Sequence, residues 1–142
     1  LLVIAVFILD RITKYYALTT CIQRYVVNQL LSCELVFNRG ISWGMFHSGS
    51  DTVFVFVTGL ITVITLILVY VARDRYKHAK PIMGELLAIA GSCSNLIDRV
   101  WYHGVVDFIE IGFGEWVWPV FNIADSAIVI GVAIMLWEYH HD

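Results

Sequence analysis

The sequence predicts an α-helical membrane protein with four spans and a small β-element in an outer loop. Three observations carry this. Of 142 residues, 59% are hydrophobic and 15% charged, against about 45–50% apolar and about 25% charged in soluble domains; mean hydropathy is +0.76. Residues 53–72, VFVFVTGLITVITLILVYVA, contain no charge. At about 1.5 Å per residue that stretch spans about 30 Å, the hydrocarbon thickness of a bilayer. The basic residues Arg73, Arg75, Lys77 and Lys80 gather in one short segment, RDRYKHAK, residues 73–80, which the positive-inside rule places in the cytoplasm.

The elements follow in chain order within a single domain, residues 1–142. Residues 1–18 open with nine apolar residues and then carry Asp10, Arg11 and Lys14; they form the first predicted span. Residues 19–52 are too long for a turn, and RYVVNQLLSCELVF at 24–37 reads as a small strand pair. The second span is 53–72, and residues 73–80 are the inner loop. The third, 82–100, has Glu85 near one end and Asn95, Asp98 and Arg99 near the other. Residues 101–118 form a second outer loop, with Trp101, Tyr102, Trp116 and Trp118 as an interfacial aromatic belt. The fourth span, 119–138, has Asn122 and Asp125 near its start. Pro81 and Pro119 each sit at a predicted helix start, where the missing N–H costs nothing. Four spans place both termini in the cytoplasm. Leu1 lies inside an apolar run, so a short preceding segment is expected. A cleaved leader ending at Leu18-Thr19-Thr20-Cys21 is disfavoured, because Asp10, Arg11 and Lys14 interrupt the apolar core such a leader needs.

Composition narrows function further. Nine Lys+Arg against 12 Asp+Glu leave a net charge of −3, so no basic surface points to nucleic acid. Cys21, Cys33 and Cys93 have no zinc spacing. Cys21 and Cys33 can pair in an oxidising compartment, but unpaired structural thiols are the expectation. His47, His78, His103, His140 and His141 are scattered without ligand spacing, so neither a metal nor another cofactor is expected.

Polar residues at membrane depth need compensation, since each buried charge costs at least about 2.5–3.5 kcal/mol on insertion scales. Asp10 and Lys14, four apart, share a helix face and can pair internally. Asn95, Asp98 and Arg99 also share one face. Asp98 can partner Arg99 or Lys14. Arg99 can hold a carboxylate, a carbonyl or a lipid phosphate, or snorkel to the outer headgroups. Asn122 and Asp125 share a face near a helix start, where a carboxylate also suits the helix dipole. Asp107, among apolar residues outside the third span, is ordinary alone. Together, Asp107 and Asp125 belong at one outer depth, 18 residues apart. Two close carboxylates cannot both ionise cheaply, so one keeps a proton, which supplies a general acid and a general base. Such a pair can activate water against an amide. A small transporter or proton channel is the alternative, and a non-enzymatic assembly factor a further one. The acidic residues cluster at the outer end and the second span has only Thr and Tyr as polar groups, which disfavours an ion path.

Five segments then carry a resemblance: Asp10-Arg11-Ile12-Thr13-Lys14, Phe37-Asn38-Arg39-Gly40-Ile41-Ser42-Trp43-Gly44, Gly91 to Arg99, Val105-Val106-Asp107-Phe108, and Phe121-Asn122-Ile123-Ala124-Asp125-Ser126. In this order they resemble the signature blocks of signal peptidase II, the lipoprotein signal peptidases. The resemblance implies a bacterial inner-membrane aspartyl protease of four helices with an outer β-cradle, here within residues 19–52, and a short outer amphipathic helix. It implies Asp107 and Asp125 as the catalytic dyad. Asn38, Gly40, Asn95, Arg99 and Asn122 would serve the substrate and inhibitor pocket, with Asp10, Lys14 and Asp98 as supporting structure. The implied partners are a diacylglyceryl-modified prolipoprotein, cut just before its lipidated cysteine, membrane lipid, and globomycin-type inhibitors; the implied state is a monomer. Two departures are visible. The third block, often GGxxGNxxDR, reads Ala90-Gly91-Ser92-Cys93-Ser94-Asn95 and lacks two glycines. The second has Ile41-Ser42-Trp43 where small residues and Phe are common.

Overall fold

A computed structural model describes residues 1–40 and 50–141. The order is α1 (Leu2–Thr20), β1 (Tyr25–Val26), β2 (Leu31–Asn38), α2 (Asp51–Lys77), α3 (Met83–Tyr102), β3 (Val105–Phe113), β4 (Trp116–Val117) and α4 (Ile123–His141). The four expected helices are present with shifted ends. α2 has 27 residues, about 40 Å, and outruns the hydrocarbon by about two turns. Those turns include Arg73 to Lys77, expected in a loop. They stay helical because Arg75 finds buried partners: Nε lies 3.0 Å from Glu85 Oε1, Nη2 donates to the Pro81 carbonyl at 3.0 Å, and the guanidinium sits 4.2 Å from the Tyr139 ring. Pro119 does not open a helix. The chain there is extended, with Phe121 bridged to Ile109, and α4 starts at Ile123.

α2 and α4 are long and apolar enough to cross a membrane. α1 and α3 each hold three charged residues, but Asp10, Lys14, Glu85 and Asp98 are fully buried. Meanwhile Phe56, Leu66, Val129 and Leu136 face outward. A lipid solvent imposes this arrangement: polar groups pair inside, and apolar side chains lose nothing by facing acyl chains.

The sheet is antiparallel in the order β1-β2-β3-β4. The strand pair expected at 24–37 is β1 and β2. The cradle is not confined to residues 19–52, however, because β3 and β4 come from the segment expected to be a loop. A two-stranded ribbon is marginal in water, and β3 supplies the long partner that β2 lacks. His103, at φ 55°, and Gly104 make the reversal from α3 into β3. A Cβ on Gly104 would come within 3.3 Å of the Phe37 backbone, so glycine allows β3 to start hard against β2.

Cys21 and Cys33 are disulfide-bonded, against the expectation of free thiols. The reason is a local return of the chain: Leu35 N–H donates to the Cys21 carbonyl at 3.1 Å, which lays β2 beside the end of α1. Cys93 is free. Among the described residues no amphipathic helix lies between β2 and α2; Ile41, Ser42, Trp43, Gly44 and His47 fall outside them.

α3 and α4 pack closest where side chains vanish. A Cβ on Gly131 would lie 2.6 Å from the Gly84 carbonyl, and one on Gly84 would lie 2.7 Å from that of Gly131. Small residues let membrane helices approach this closely. Gly91, retained in the third block, packs on Ala124 in the same way, so that seam survives the two missing glycines.

Candidate active site

Asp107 lies on β3 and is 1% exposed. On the neighbouring strand Asn38 pairs with Val105, and Val105 and Asp107 share a face. Asn38 is therefore a diagonal neighbour of Asp107. Its Oδ1 accepts the Gly40 N–H at 3.0 Å, which turns its Nδ2 towards Asp107 Oδ2, also at 3.0 Å.

Asn122 and Asp125 form a reciprocal cap on α4. Asn122 Oδ1 accepts the Asp125 N–H at 2.8 Å, and Asp125 Oδ2 accepts the Asn122 N–H at 3.3 Å. This is the capping-box arrangement, which satisfies two orphan donors of a helix start. The cap leaves Asn122 Nδ2 free to donate to Asp107 Oδ1 at 2.7 Å. One fully buried asparagine thus touches both aspartates. From α3, Asn95 Nδ2 donates to Asp125 Oδ1 at 2.8 Å. Every oxygen of the two carboxyls therefore faces a nitrogen donor. Asp107 and Asp125 line one cavity of about 220 Å³ with Asn38, Gly40, Asn95 and Arg99; Asn122 lies behind it.

Arg99 does not snorkel and does not pair with Asp98. It is buried, with Nη2 donating to the Gly40 carbonyl and Nη1 to the Arg39 carbonyl at 3.4 Å and Thr58 Oγ1 at 3.5 Å. Its guanidinium also lies 5.6 Å from the Phe54 ring. Arg99 therefore staples the end of β2, which carries Asn38, to α2.

Asp98 takes Lys14 instead, at 2.7 Å, and Arg11. Lys14 also meets Asp10 Oδ2 at 2.9 Å, the helical pair expected from their spacing. Asp10 Oδ1 accepts the Ala124 N–H at 2.8 Å, so α1 supplies an outside cap for α4. Ser94, at a position where the third block often has glycine, donates to Asp10 Oδ2 at 2.6 Å. These four ionic groups, two acids and two bases, balance in charge.

Electrostatics favour a shared proton. Burial first, and the nearby Asp125 second, push the Asp107 carboxyl up to about 7, against hydrogen bonds from Asn38 and Asn122 and the charge of Lys14, which lower it. Near neutral pH a proton is retained in the pair, and its titration belongs to both groups. Two carboxyls with one proton, one buried and one half-buried, lined by fixed amide donors, can take a proton from water and give one to a leaving group.

Sequence reasoning missed Arg11, Ser94 and Thr58. Arg11 is next to Asp10 and Ser94 next to Asn95, but their hydrogen bonds cross between α1 and α3, and no local spacing reports that. It also missed the inner cluster in which Arg75 meets Glu85 and Glu138, the latter at 3.7 Å.

The fold and site define a helical membrane protein with a two-carboxyl cavity beside an outer sheet. Residues 2–140 match the family described as signal peptidase (SPase) II. The lipoprotein signal peptidase of Blochmanniella pennsylvanica is 34% identical over 98% of this chain and 86% of its own length. That of Pelodictyon phaeoclathratiforme is 38% identical over 99% and 88%. A solved structure described as a bacterial membrane enzyme, determined by the in meso method at 2.3 Å resolution, superposes with a TM-score of 0.77. It is 31% identical and covers 99% of this chain and 85% of the other. The chain belongs to the signal peptidase II family and is a peptidase; the transporter alternative finds no support.

Proposed function

We propose that this chain removes signal peptides from prolipoproteins as an aspartyl endopeptidase, with Asp107 and Asp125 as the catalytic pair. The observation that carries the reading is one cavity in which the buried Asp107 and the half-buried Asp125 meet Asn38, Asn95 and Arg99. A water held between the carboxyls loses a proton to the ionised one. The new hydroxide bonds to the scissile carbonyl carbon while the protonated carboxyl hydrogen-bonds its oxygen. Collapse then breaks the C–N bond, and a carboxyl proton goes to the leaving nitrogen. Asn38 and Asn122 hold Asp107, and Asn95 holds Asp125, so the pair is organised before substrate arrives.

The substrate in this reading is a prolipoprotein already carrying diacylglyceryl on its lipobox cysteine, cut just before that residue. An apolar groove of about 560 Å³, bounded by Trp118, Phe121, Val129 and Ile130, meets the site at Asp125 and suits hydrocarbon. The enzyme would sit in the bacterial inner membrane as a four-span monomer with both termini cytoplasmic and its site at the outer face. It would need no metal or other cofactor and would bind a globomycin-type inhibitor. The test is cleavage of a synthetic diacylglyceryl-cysteine lipobox peptide in detergent by wild type, Asp107→Asn and Asp125→Asn at equal folded concentration. Wild type should cut before the cysteine, and both variants should lose at least about 10³-fold in rate. Cleavage by both variants at the wild-type rate would remove the pair from the chemistry.

A further inference from the structure

We propose that Lys14 is a positioning residue for the reaction: through Asn95 it fixes the donor that Asp125 faces. The inference rests on the assignment of Asp107 and Asp125 as the catalytic pair. Lys14 is fully buried, and neither Asp107 nor Asp125 is among its hydrogen-bond partners. An ammonium has three donors and no acceptor, and all three are used. They go to Asp10 Oδ2 at 2.9 Å, Asp98 Oδ2 at 2.7 Å and Asn95 Oδ1 at 2.8 Å.

An asparagine amide can point either way, and only one way works here. Asn95 Oδ1 receives Lys14 and also Asn122 Nδ2 at 3.2 Å, which leaves Asn95 Nδ2 to donate to Asp125. The flipped amide would set its NH₂ against two donors and turn its carbonyl oxygen on the Asp125 carboxyl. Lys14 therefore acts as a lock on the amide, and it is held in place by Asp10 and Asp98 from two helices. Replacing it with Met leaves the neutral Asn122 amide as the sole selector at that oxygen. Substrate does not reach Lys14, so the effect falls on the chemical step.

A double-mutant cycle separates this role from simple helix packing. Lys14→Met, Asn95→Ala and the double variant are compared for kcat and KM on the diacylglyceryl-cysteine peptide, per folded molecule. Lys14→Met should lower kcat by about 10–100-fold with KM changed less than about 3-fold. In the Asn95→Ala background the same substitution, with each variant compared at the pH of its own maximal kcat so that the direct effect of the Lys14 charge on Asp107 drops out, should lower kcat by less than about 3-fold, because the intermediary is gone. If Lys14→Met does not fold, Lys14→Gln, which replaces the ammonium by an uncharged amide with two N–H donors, takes its place in the cycle. Effects that multiply, or a loss confined to KM, would overturn the proposal. Asp107→Asn and Asp125→Asn run alongside: if both stay active, the pair itself is misassigned, whereas if both are dead and the cycle multiplies, only the role of Lys14 fails.

Discussion

Asp107→Asn should reverse its effect on stability with pH. The Asp107 carboxyl is raised from 3.8 to about 7, chiefly by burial, so the native fold prefers its protonated form. The stability it contributes is fully present below about pH 4, declines as pH rises, and is gone above about pH 7. At about 1.4 kcal/mol per unit the total loss is about 4 kcal/mol. Asparagine cannot ionise and escapes that loss. It brings a different cost. One carboxyl oxygen accepts from Asn122 and the other from Asn38, so an amide at 107 must aim its NH₂ at one of these donors. Asn38 cannot flip freely, since its Oδ1 holds the Gly40 N–H. An unsatisfied buried donor costs about 1–3 kcal/mol. Around pH 4 the variant should therefore be less stable by about 1–3 kcal/mol, and at pH 8 more stable by about the same. The order should invert between about pH 4.5 and 6. For a chain of this size each kcal/mol moves Tm by about 2–4 °C. The assay is thermal unfolding by tryptophan fluorescence in detergent from pH 4 to pH 8, with peptide cleavage measured in parallel and absent from the variant throughout. A Tm difference that stays constant across that range would refute the reasoning, because Asp107 would then titrate as an ordinary surface carboxylate.

Two further outcomes follow from the packing. Gly131→Val should separate α3 from α4 and reduce both Tm and activity, since even a Cβ there meets the Gly84 carbonyl and the Ala88 nitrogen at 2.6 and 2.8 Å; Gly59→Ala, with open space around it, should lower neither. Equal Tm values for the two would show that the seam is not tight. Replacing Cys21 and Cys33 together by Ser should cost about 2–4 kcal/mol, and reductant should lower the wild-type Tm to that of the double variant; a reductant-insensitive Tm would mean that the bond contributes nothing.

Much of the helical framework was legible because its signals are local. Charge-free length marks α2, and the Asp10 to Lys14 spacing marks an internal pair that the fold contains. The Asn122 to Asp125 spacing, read as one helix face, turned out to be a reciprocal cap. Where local signals compete, they mislead. Arg73 to Lys77 resemble a loop by charge, yet α2 continues because Arg75 meets Glu85 on the next helix. Val105 to Phe113 read locally as loop beside a tryptophan-rich turn, yet they form β3 because β2, more than sixty residues earlier, offers its edge.

The chain alone specified the four helices short of their ends, that polar residues must be paired within them, and that Asp107 and Asp125 lie at a common depth. Hydropathy length and helical spacing are properties of neighbouring residues, so a linear reading reaches them. Three-dimensional packing settled the partners. Asp98 has Lys14 and Arg11 rather than the adjacent Arg99, Arg99 has the carbonyls after β2, and Cys21 has Cys33. The first two join elements distant in sequence, and the third closes a return of 12 residues between α1 and β2. A buried charge or donor accepts whichever complementary group the fold brings within about 3 Å, and that group is set by how α1, α3, α4 and the sheet close around one another.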